Sequence, residues 1–303
     1  MVKIIIVNYN SGKWIARCLS SIHQAGLTDH TIIVDNASTD NSILFIEQNF
    51  PQADLIKLSS NLGFGQANNL GIKKAYEQGS DYVFLMNQDV YIEPNTIDCL
   101  ISTAKLNPDF GILSPMHLNG NGSELDFSFS NYIVPLKCRK LYSDIFLQKL
   151  ATLYEVSFVN AAAWLLTRKC IEKVGGFNPS FYHYGEDDNY CQRVLYHSLK
   201  IGVVPQSIIY HDRENRTENI YFDNTVLVHK RKLIKMFSDP FDNKQSISDV
   251  YINCLKTMVK SLITLKLKSF KEHFSRIIMY NSIDWKMILH NKEQSINKGK
   301  NFL

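Results

Sequence analysis

Five acidic residues and one histidine have side chains suited to binding a divalent cation and accepting a proton. They are Asp35, Asp89, the run Glu186–Asp188, and His211. Carboxylates and imidazole suit a hard divalent cation that neutralises a diphosphate, and a further carboxylate can act as a general base toward a hydroxyl. Together these groups fit the displacement of a diphosphate leaving group from an activated donor.

The spacing of other residues excludes several common sites. A dinucleotide-binding fingerprint fails because Asn68 stands where a third glycine should follow Gly63 and Gly65. Val7 occupies the first glycine position of a phosphate-binding loop that would end at Gly12–Lys13. No G-x-S-x-G or H-E-x-x-H motif is present. The six cysteines form no C-x-x-C pair, which favours reduced thiols in a cytosolic protein over a zinc site or a disulfide scaffold.

The first ninety residues alternate between strand and helix patterns. The predicted strands cover residues 3–7, 31–34, 53–58 and 81–86, and the predicted helices cover 14–22, 43–48 and 66–78. This order is typical of a mostly parallel sheet with helices on both faces. Farther along, helices are predicted at 138–153, 168–174 and 189–199, and strands at 157–167, 201–204 and 207–210.

Polar clusters follow three of the early strands, at residues 8–11, 35–40 and 87–89. Loops after strands are polar in most proteins, but here each cluster carries an acid or an amide. In parallel sheets, ligands bind at the carboxyl ends of the strands. The sequence therefore predicts a binding site at this edge.

The C-terminal quarter differs in charge from the rest of the chain. The net charge is +4, yet residues 229–303 carry 15 basic and 6 acidic side chains, against 18 and 23 in residues 1–228. Residues 247–263 predict a basic amphipathic helix and 274–289 an aromatic one. The first can bind a membrane surface or pack on the preceding domain or a second subunit. The small net charge does not indicate nucleic acid, and no apolar run approaches the roughly 20 residues of a membrane span.

Six motifs occur in the order typical of family two glycosyltransferases with the GT-A fold. They are VNYN at 7–10, VDNASTD at 34–40, NLGFGQANNLG at 61–71, MNQDV at 86–90, GGF at 175–177 and YGED at 184–187. The chain resembles this family over residues 1–215, and it looks closest to the bacterial branch with rhamnosyltransferases and galactofuranosyltransferases. The resemblance implies an α/β, Rossmann-like, mostly parallel central sheet flanked by helices in residues 1–228, and a helical extension at 229–303.

The resemblance also implies where a nucleotide-diphosphate sugar, with a dTDP or UDP moiety, would bind. Asp35 would read the base or ribose, although a helix-capping acid would explain the same position. Residues 61–69 would fold over the donor. The implied donor-binding residues are Asn8, Tyr9, Asn10, Asp35, Asn36, Asn61, Gly63, Phe64, Asn69, Asn87, Gln88 and Asp89.

Residues 87–89 stand in place of the family's metal-binding D-x-D motif, with an amide instead of the first acid. By resemblance, Asp89 is the principal ligand of Mg or Mn. His211 stands where related enzymes place a histidine near the diphosphate, and it is the second expected ligand. A structural histidine is the alternative.

The acidic motif at 186–188 implies the catalytic groups. We expect Asp187, beside Glu186, to be the general base, because adjacent carboxylates raise each other's pKa. Acids that favour a helix dipole would show the same spacing. The residues expected to meet the acceptor are Asn160, Ala161, Trp164 and Asp188, and for Trp164 a place in the core is nearly as well supported.

Together, these expectations predict an inverting hexosyl- or deoxyhexosyltransferase, with rhamnose as the leading donor sugar. Its acceptor would be a polysaccharide or lipid-linked glycan of the cell envelope. It would work in the cytoplasm or peripherally on the inner face of the cytoplasmic membrane, and a homodimer is left open. The competing hypotheses are a non-catalytic nucleotide-sugar or glycan binder and a sugar nucleotidyltransferase. The latter needs a Gly-rich, Arg-bearing loop that residues 8–13 do not provide.

Overall fold

The chain divides into two compact units. The computed structural model describes residues 1–213, 224–242, 244 and 246–303. One unit comprises Met1–Asn215 with Lys298–Leu303, and the other comprises Arg216–Asn297. The domain boundary predicted after residue 228 lies inside the helix Thr225–Ser238, and the C-terminal residues cluster with the first unit.

The first unit is built on one mixed sheet. Its strands are β1 (Val2–Asn8), β2 (Thr31–Asp35), β3 (Asp54–Lys57), β4 (Tyr82–Asn87), β5 (Val90–Ile92), β6 (Phe110–Asn119), β7 (Tyr154–Val156), β8 (Ala163–Thr167) and β9 (Lys200–His211). They lie in the order β3-β2-β1-β4-β8-β6-β9-β5, and β7 pairs with β9. The strands from β3 to β4 are parallel, as the sequence predicts, and so are β6 and β9. Strands β5, β7 and β8 run antiparallel to their neighbours.

Helices and apolar side chains cover both faces of this sheet. The helices of the first unit are α1 (Ile15–Gln24), α2 (Ser42–Asn49), α3 (Phe64–Glu77), α4 (Thr96–Leu106), α5 (Phe127–Ser130), α6 (Leu141–Phe146), α7 (Arg168–Val174) and α8 (Glu186–Tyr196). In β1, Ile5 packs in the core of one face, and Ile4 and Ile6 pack in that of the other. This two-sided burial explains the unbroken β-branched run of that strand.

Strand register brings the predicted site residues to one edge of the sheet. Asn8 at the end of β1 pairs with Asp35, and Val7 pairs with Asn87 at the end of β4. In the other half of the sheet, Val90 pairs with His211. The segment that precedes β5 therefore lies beside the end of β9.

Four element predictions for this unit are corrected. The strand predicted at 157–167 spans only Ala163–Thr167. The strands predicted at 201–204 and 207–210 are one strand, β9, because a bulge opposite Pro115–Met116 absorbs the residues between them. The helix predicted from residue 189 begins at Glu186, since acids are favourable in a first helical turn. The segment 138–153 is helical only at Leu141–Phe146.

The second unit is helical in its described part. Its helices are α9 (Thr225–Ser238), α10 (Ile247–Ile263), α11 (Leu267–Asn281) and α12 (Trp285–Ile296). The helix predicted over 247–263 is confirmed. The single helix predicted at 274–289 is wrong, because Asp284 accepts a hydrogen bond from the Met287 amide and starts a new helix there. Among the described residues, no helix has both the length and the apolar character needed to cross a membrane.

Candidate functional site

Buried side-chain hydrogen bonds join the ends of β1 and β2. The Asn8 amide nitrogen donates to Asp35 Oδ1 at 2.6 Å and to the hydroxyls of Ser38 and Ser42 at 3.0 and 2.9 Å. The Ser38 backbone amide donates to Asp35 Oδ2 at 3.1 Å. Asn8 and Asp35 are almost completely buried. Both carboxylate oxygens of Asp35 thus accept hydrogen bonds from the protein, which fixes the orientation of this side chain.

The loop that leads into α3 is held by two more amides. Asn36 Nδ2 donates to Asn61 Oδ1 at 2.9 Å, and the backbone amides of Leu62 and Gly63 donate to Asn36 and Asn61, each at 2.8 Å. Gly63 has φ of 81°, and a Cβ at this position would lie 2.1 Å from the Tyr182 carbonyl oxygen. Only glycine permits this approach. We call Asn8, Asp35, Asn36 and Asn61 the amide cluster.

Other predicted donor-binding residues also hold the backbone at this edge. Gln88 accepts a hydrogen bond from the Tyr9 amide at 2.7 Å and donates to the Tyr9 carbonyl at 3.1 Å. Asn10 Oδ1 accepts from the Thr39 amide at 2.8 Å. The Tyr9 side chain is 45% exposed. Gln88 therefore ties β1 to the end of β4, and the Tyr9 ring remains accessible to a ligand.

Asn69 and Trp164 are both buried and contact Phe177. Asn69 accepts from the Phe177 amide at 2.6 Å and donates to the Phe177 carbonyl at 2.8 Å, so it holds the GGF segment. Phe64 contacts the Phe177 ring edge-on, with 5.9 Å between centroids. Trp164 is fully buried and stacks on Phe177 at 6.1 Å. The structure therefore supports the core interpretation of Trp164, whose ring has no surface open to a sugar.

The ends of β5 and β9 bring together four charged or titratable side chains, which we call the His211 cluster. Its members are Asp89, Asp126, His211 and Arg213. His211 Nε2 lies 3.5 Å from Asp89 Oδ1, and its Nδ1 lies 3.7 Å from Asp126 Oδ2. Arg213 Nε lies 3.6 Å from the same Asp126 oxygen, and it lies 3.1 and 3.0 Å from Nδ1 and Nε2 of His211. Burial and the Arg213 charge lower the pKa of His211 well below its ordinary value, so the imidazole is neutral near pH 7, the form that ligates metals.

The chemistry of this cluster fits a divalent cation shared with a donor diphosphate. Asp89 and His211 Nε2 face each other, and the buried Oδ1 of Asn87 has no hydrogen-bond partner among the described residues. Oxygen and imidazole ligands suit Mg or Mn. Within that part of the chain, no three His, Cys, Asp or Glu side chains are grouped for a metal ion. The remaining ligands would therefore be diphosphate oxygens and water, as is usual for Mg at phosphate sites.

The first turn of α8 carries three consecutive carboxylates, Glu186, Asp187 and Asp188. Asp187 Oδ1 accepts a hydrogen bond from the Asp188 amide at 2.9 Å, and the Ala161 amide also bonds to the Asp187 carboxyl. Burial, followed by the charge of Asp188, raises the pKa of Asp187 to about 6. Such a carboxyl is ionised near neutral pH yet basic enough to accept a proton, as a general base must.

Tyr132 lies within electrostatic range of both the acidic turn of α8 and the His211 cluster. Burial raises the pKa of Tyr132 to about 12, with contributions from the charges of Asp187, Asp188 and Asp126. This phenol therefore lies within electrostatic reach of both groups. On the acceptor side, Asn160 is buried and its Oδ1 has no hydrogen-bond partner among the residues that the structure describes. The predicted base, the predicted metal ligands and part of the predicted acceptor segment thus share one region.

Sequence reasoning missed Asp126, Tyr132 and Arg213. The first two lie in the irregular stretch 110–155, where α5 spans only Phe127–Ser130 and gives no periodic signal. Asp126 caps this helix by accepting from the Phe129 amide at 2.8 Å. Arg213 could have been identified from the sequence, because a cationic residue two positions after His211 suits a diphosphate site.

Known proteins resemble the chain in sequence and in fold. The profile of Glycosyl transferase family 2 matches residues 3–175. An N-acetylglucosaminyl-diphospho-decaprenol L-rhamnosyltransferase of Mycobacterium tuberculosis is 24% identical over 238 residues, which cover 72% of this chain and 78% of that protein. TarS 1–349 of S. aureus, solved in complex with UDP-GlcNAc, matches with a TM-score of 0.56 and 15% identity over 81% of this chain and 68% of its own.

A second solved structure covers nearly the whole chain. The mannosyltransferase PcManGT from Pyrobaculum calidifontis, in complex with GDP-Man and Mn2+, matches with a TM-score of 0.55 and 15% identity over 97% of this chain and 73% of its own. The two structural likenesses confirm the predicted GT-A type of α/β fold. Because the family profile matches more than half of the sequence, the chain belongs to glycosyl transferase family 2.

Proposed function

We propose that this glycosyltransferase moves a sugar from a nucleoside-diphosphate donor to a glycan hydroxyl by one displacement with inversion. The observation that carries the proposal is that Tyr132 lies within electrostatic range both of Asp187, whose pKa is raised to about 6, and of Asp126 and Arg213 in the His211 cluster. A proton acceptor and a cation-binding carboxylate are the groups that this displacement uses. The nucleotide sugars in the TarS and PcManGT complexes support the donor class.

The amide cluster would receive the nucleotide. Asp35, held by Asn8, would accept a hydrogen bond from a base imide or a ribose hydroxyl, since a fixed carboxylate is a strong acceptor. The exposed Tyr9 ring would stack on the base. The loop fixed by Asn36 and Asn61 would close over the diphosphate and sugar.

The His211 cluster would hold the diphosphate end of the donor. Asp89, His211 and Asn87 would ligate Mg or Mn, which when bound supplies positive charge to the leaving diphosphate. Asp126 faces the other ring nitrogen of His211 and would fix the orientation of the imidazole, an arrangement common at metal sites. Arg213 would add a further cation beside the phosphates.

Asp187 would accept the proton of the acceptor hydroxyl while the oxygen of that hydroxyl attacks the anomeric carbon. The new C–O bond forms opposite the diphosphate as the old anomeric C–O bond breaks, and the nucleoside diphosphate leaves with the bonding electrons. The Ala161 amide orients Asp187, and the Asp188 charge helps to keep its pKa raised. Asn160 and Asp188 would bind the acceptor, with Glu186 supporting the turn.

Rhamnose is the proposed donor sugar, on dTDP or UDP, and the proposed acceptor is a lipid-linked glycan of the cell envelope. The rhamnosyltransferase relative, whose name includes a diphospho-decaprenol lipid, supports both assignments. An acceptor of this kind places the enzyme at the inner face of the cytoplasmic membrane.

A thermal-shift screen of nucleotide sugars with and without Mn tests the donor class. A ligand that binds only the native state raises the unfolding temperature. We expect dTDP-rhamnose to do so, more strongly with Mn, and to release dTDP when an N-acetylglucosaminyl-diphospholipid is added. Binding without turnover would favour a non-catalytic binder, and no shift with any donor would contradict the proposal.

A further inference from the structure

Helices α10 and α11 form a hairpin whose inner face is already paired. Cys254 Sγ lies 3.4 Å from the His273 carbonyl oxygen, and the hydroxyls of Ser261 and Ser269 lie 2.8 Å apart. Cys254 and Ser261 are buried. The contact between the two helices therefore uses this side of α10. The opposite side of α10 takes no part in the hairpin contact.

The outer side of α10 and the turn after it expose large apolar side chains. Ile252, Leu255, Val259 and Ile263, spaced three or four residues apart, form a stripe with exposed fractions between 43% and 77%. Leu265 in the turn is 83% exposed, and Leu267 at the start of α11 is 62% exposed. An exposed apolar row of this length marks an interaction surface. We call the stripe and the turn together the hairpin surface.

Lysines are interleaved with these apolar residues. Lys256 and Lys260 line the same shallow groove as the stripe. Lys266 and Lys268 alternate with Leu265 and Leu267 where the turn enters α11. All four lysines are exposed. From Val250 to Lys271 the sequence has five lysines and no acidic residue. The hairpin surface is therefore both apolar and strongly cationic.

We propose that the hairpin surface docks on a bilayer of anionic lipid. Leu265 and Leu267 enter the boundary between headgroups and acyl chains, and the neighbouring lysines pair with lipid phosphates. Apolar side chains flanked by lysines are typical of helices that lie in a membrane interface, whereas the buried centre of a protein–protein interface is depleted of lysine. Docking would bring the enzyme near a lipid-linked acceptor, and this consequence rests on the proposed function. The docking itself does not depend on that function.

Vesicle co-sedimentation of the full chain tests the proposal. We expect binding to phosphatidylcholine vesicles that contain phosphatidylglycerol, weak binding to pure phosphatidylcholine, and loss of binding as salt is raised. The variants L265S/L267S and K266Q/K268Q should each lower the partition coefficient about tenfold. The matched controls are L106S, at a leucine that is also 83% exposed, and K73Q on α3, and both should bind like the wild type.

Two outcomes would overturn the proposal. One is that the wild type does not bind anionic vesicles, or that L265S/L267S binds them as strongly as the wild type does. The other is a wild-type dimer in sedimentation velocity that L265S/L267S abolishes, since a second copy would then cover this surface. We expect L265S/L267S to transfer sugar to a water-soluble acceptor as fast as the wild type does. This measurement distinguishes a failure of membrane docking from a failure of the proposed catalytic function. If the wild type binds vesicles but transfers no sugar, only the proposed function fails.

Discussion

The amide cluster and the acidic turn of α8 lie in one unit, but their charges are arranged in opposite ways. In the amide cluster, Asp35 is buried among donors, because Asn8 and the Ser38 amide satisfy its two oxygens. In the acidic turn, Asp187 is held beside another carboxylate, and its pKa is raised to about 6. The first arrangement stabilises the fold and holds the groups proposed to receive the nucleotide, and the second raises the basicity of the proposed general base. Substitutions in the two regions should therefore differ in how strongly they change stability.

Asp187→Asn should produce the largest effect. Loss of a general base lowers kcat by about a thousandfold, whereas the free energy of unfolding should stay the same or rise, because a like-charge contact disappears. Steady-state release of the nucleoside diphosphate measures the first quantity, and urea unfolding measures the second. Undiminished turnover would remove Asp187 as the base.

Asn8→Ala should have its main effect on stability. It removes the Asn8 side-chain hydrogen bonds to Asp35 and to the hydroxyls of Ser11, Ser38 and Ser42. Because the buried Asp35 carboxylate loses one donor, the free energy of unfolding should fall by about 3 kcal/mol. Urea unfolding checks this, with Ser38→Ala as a milder variant of the same network. An Asn8→Ala protein of native stability would show that the amide cluster does not stabilise the fold.

Asp126→Asn should weaken metal binding without disturbing α5. Asparagine is as good an N-cap as aspartate, so the substitution removes mainly the charge that faces His211. We expect the affinity for Mn2+ in the presence of nucleotide to fall about tenfold to a hundredfold. Calorimetric titration measures this, and Asp98→Asn in the first turn of α4 is the matched control. Equal affinities in the two variants would rule out the positioning role of Asp126.

The pH dependence should show the smallest effect. Because Asp187 must be ionised to accept a proton, kcat/KM should rise with pH through about 6. In Asp188→Asn the second cause of the raised pKa is gone, so the acid limb of the profile should move to lower pH. A limb that stays in place would mean that Asp188 does not set the pKa of Asp187.

The sequence predicts the parallel half of the fold and the position of the site, because each rests on a local pattern. The β-branched run of β1 and the polar residues after β2 and β4 identify strands and their carboxyl ends without tertiary information. Asp126 and Tyr132 were not predictable in this way. Each lies in an irregular segment. Only tertiary packing brings Asp126 beside His211 and Tyr132 within electrostatic range of Asp187.

For the same reason, the sequence alone does not decide between two roles for Trp164. Its position in a small-residue segment near the acceptor and its size fit either a sugar platform or a core residue. Packing against Phe177 and Tyr190 decides between them, and these partners belong to the segment after α7 and to α8. Periodicity in the sequence contains no information about such contacts.

The anomeric configuration of the transferred sugar tests the central mechanism most directly. The product formed from a nucleotide-sugar donor of known configuration can be read by NMR of its anomeric coupling. A single displacement with Asp187 as base predicts an inverted linkage from the wild type and no product from Asp187→Asn. A product that retains the donor configuration would contradict this mechanism.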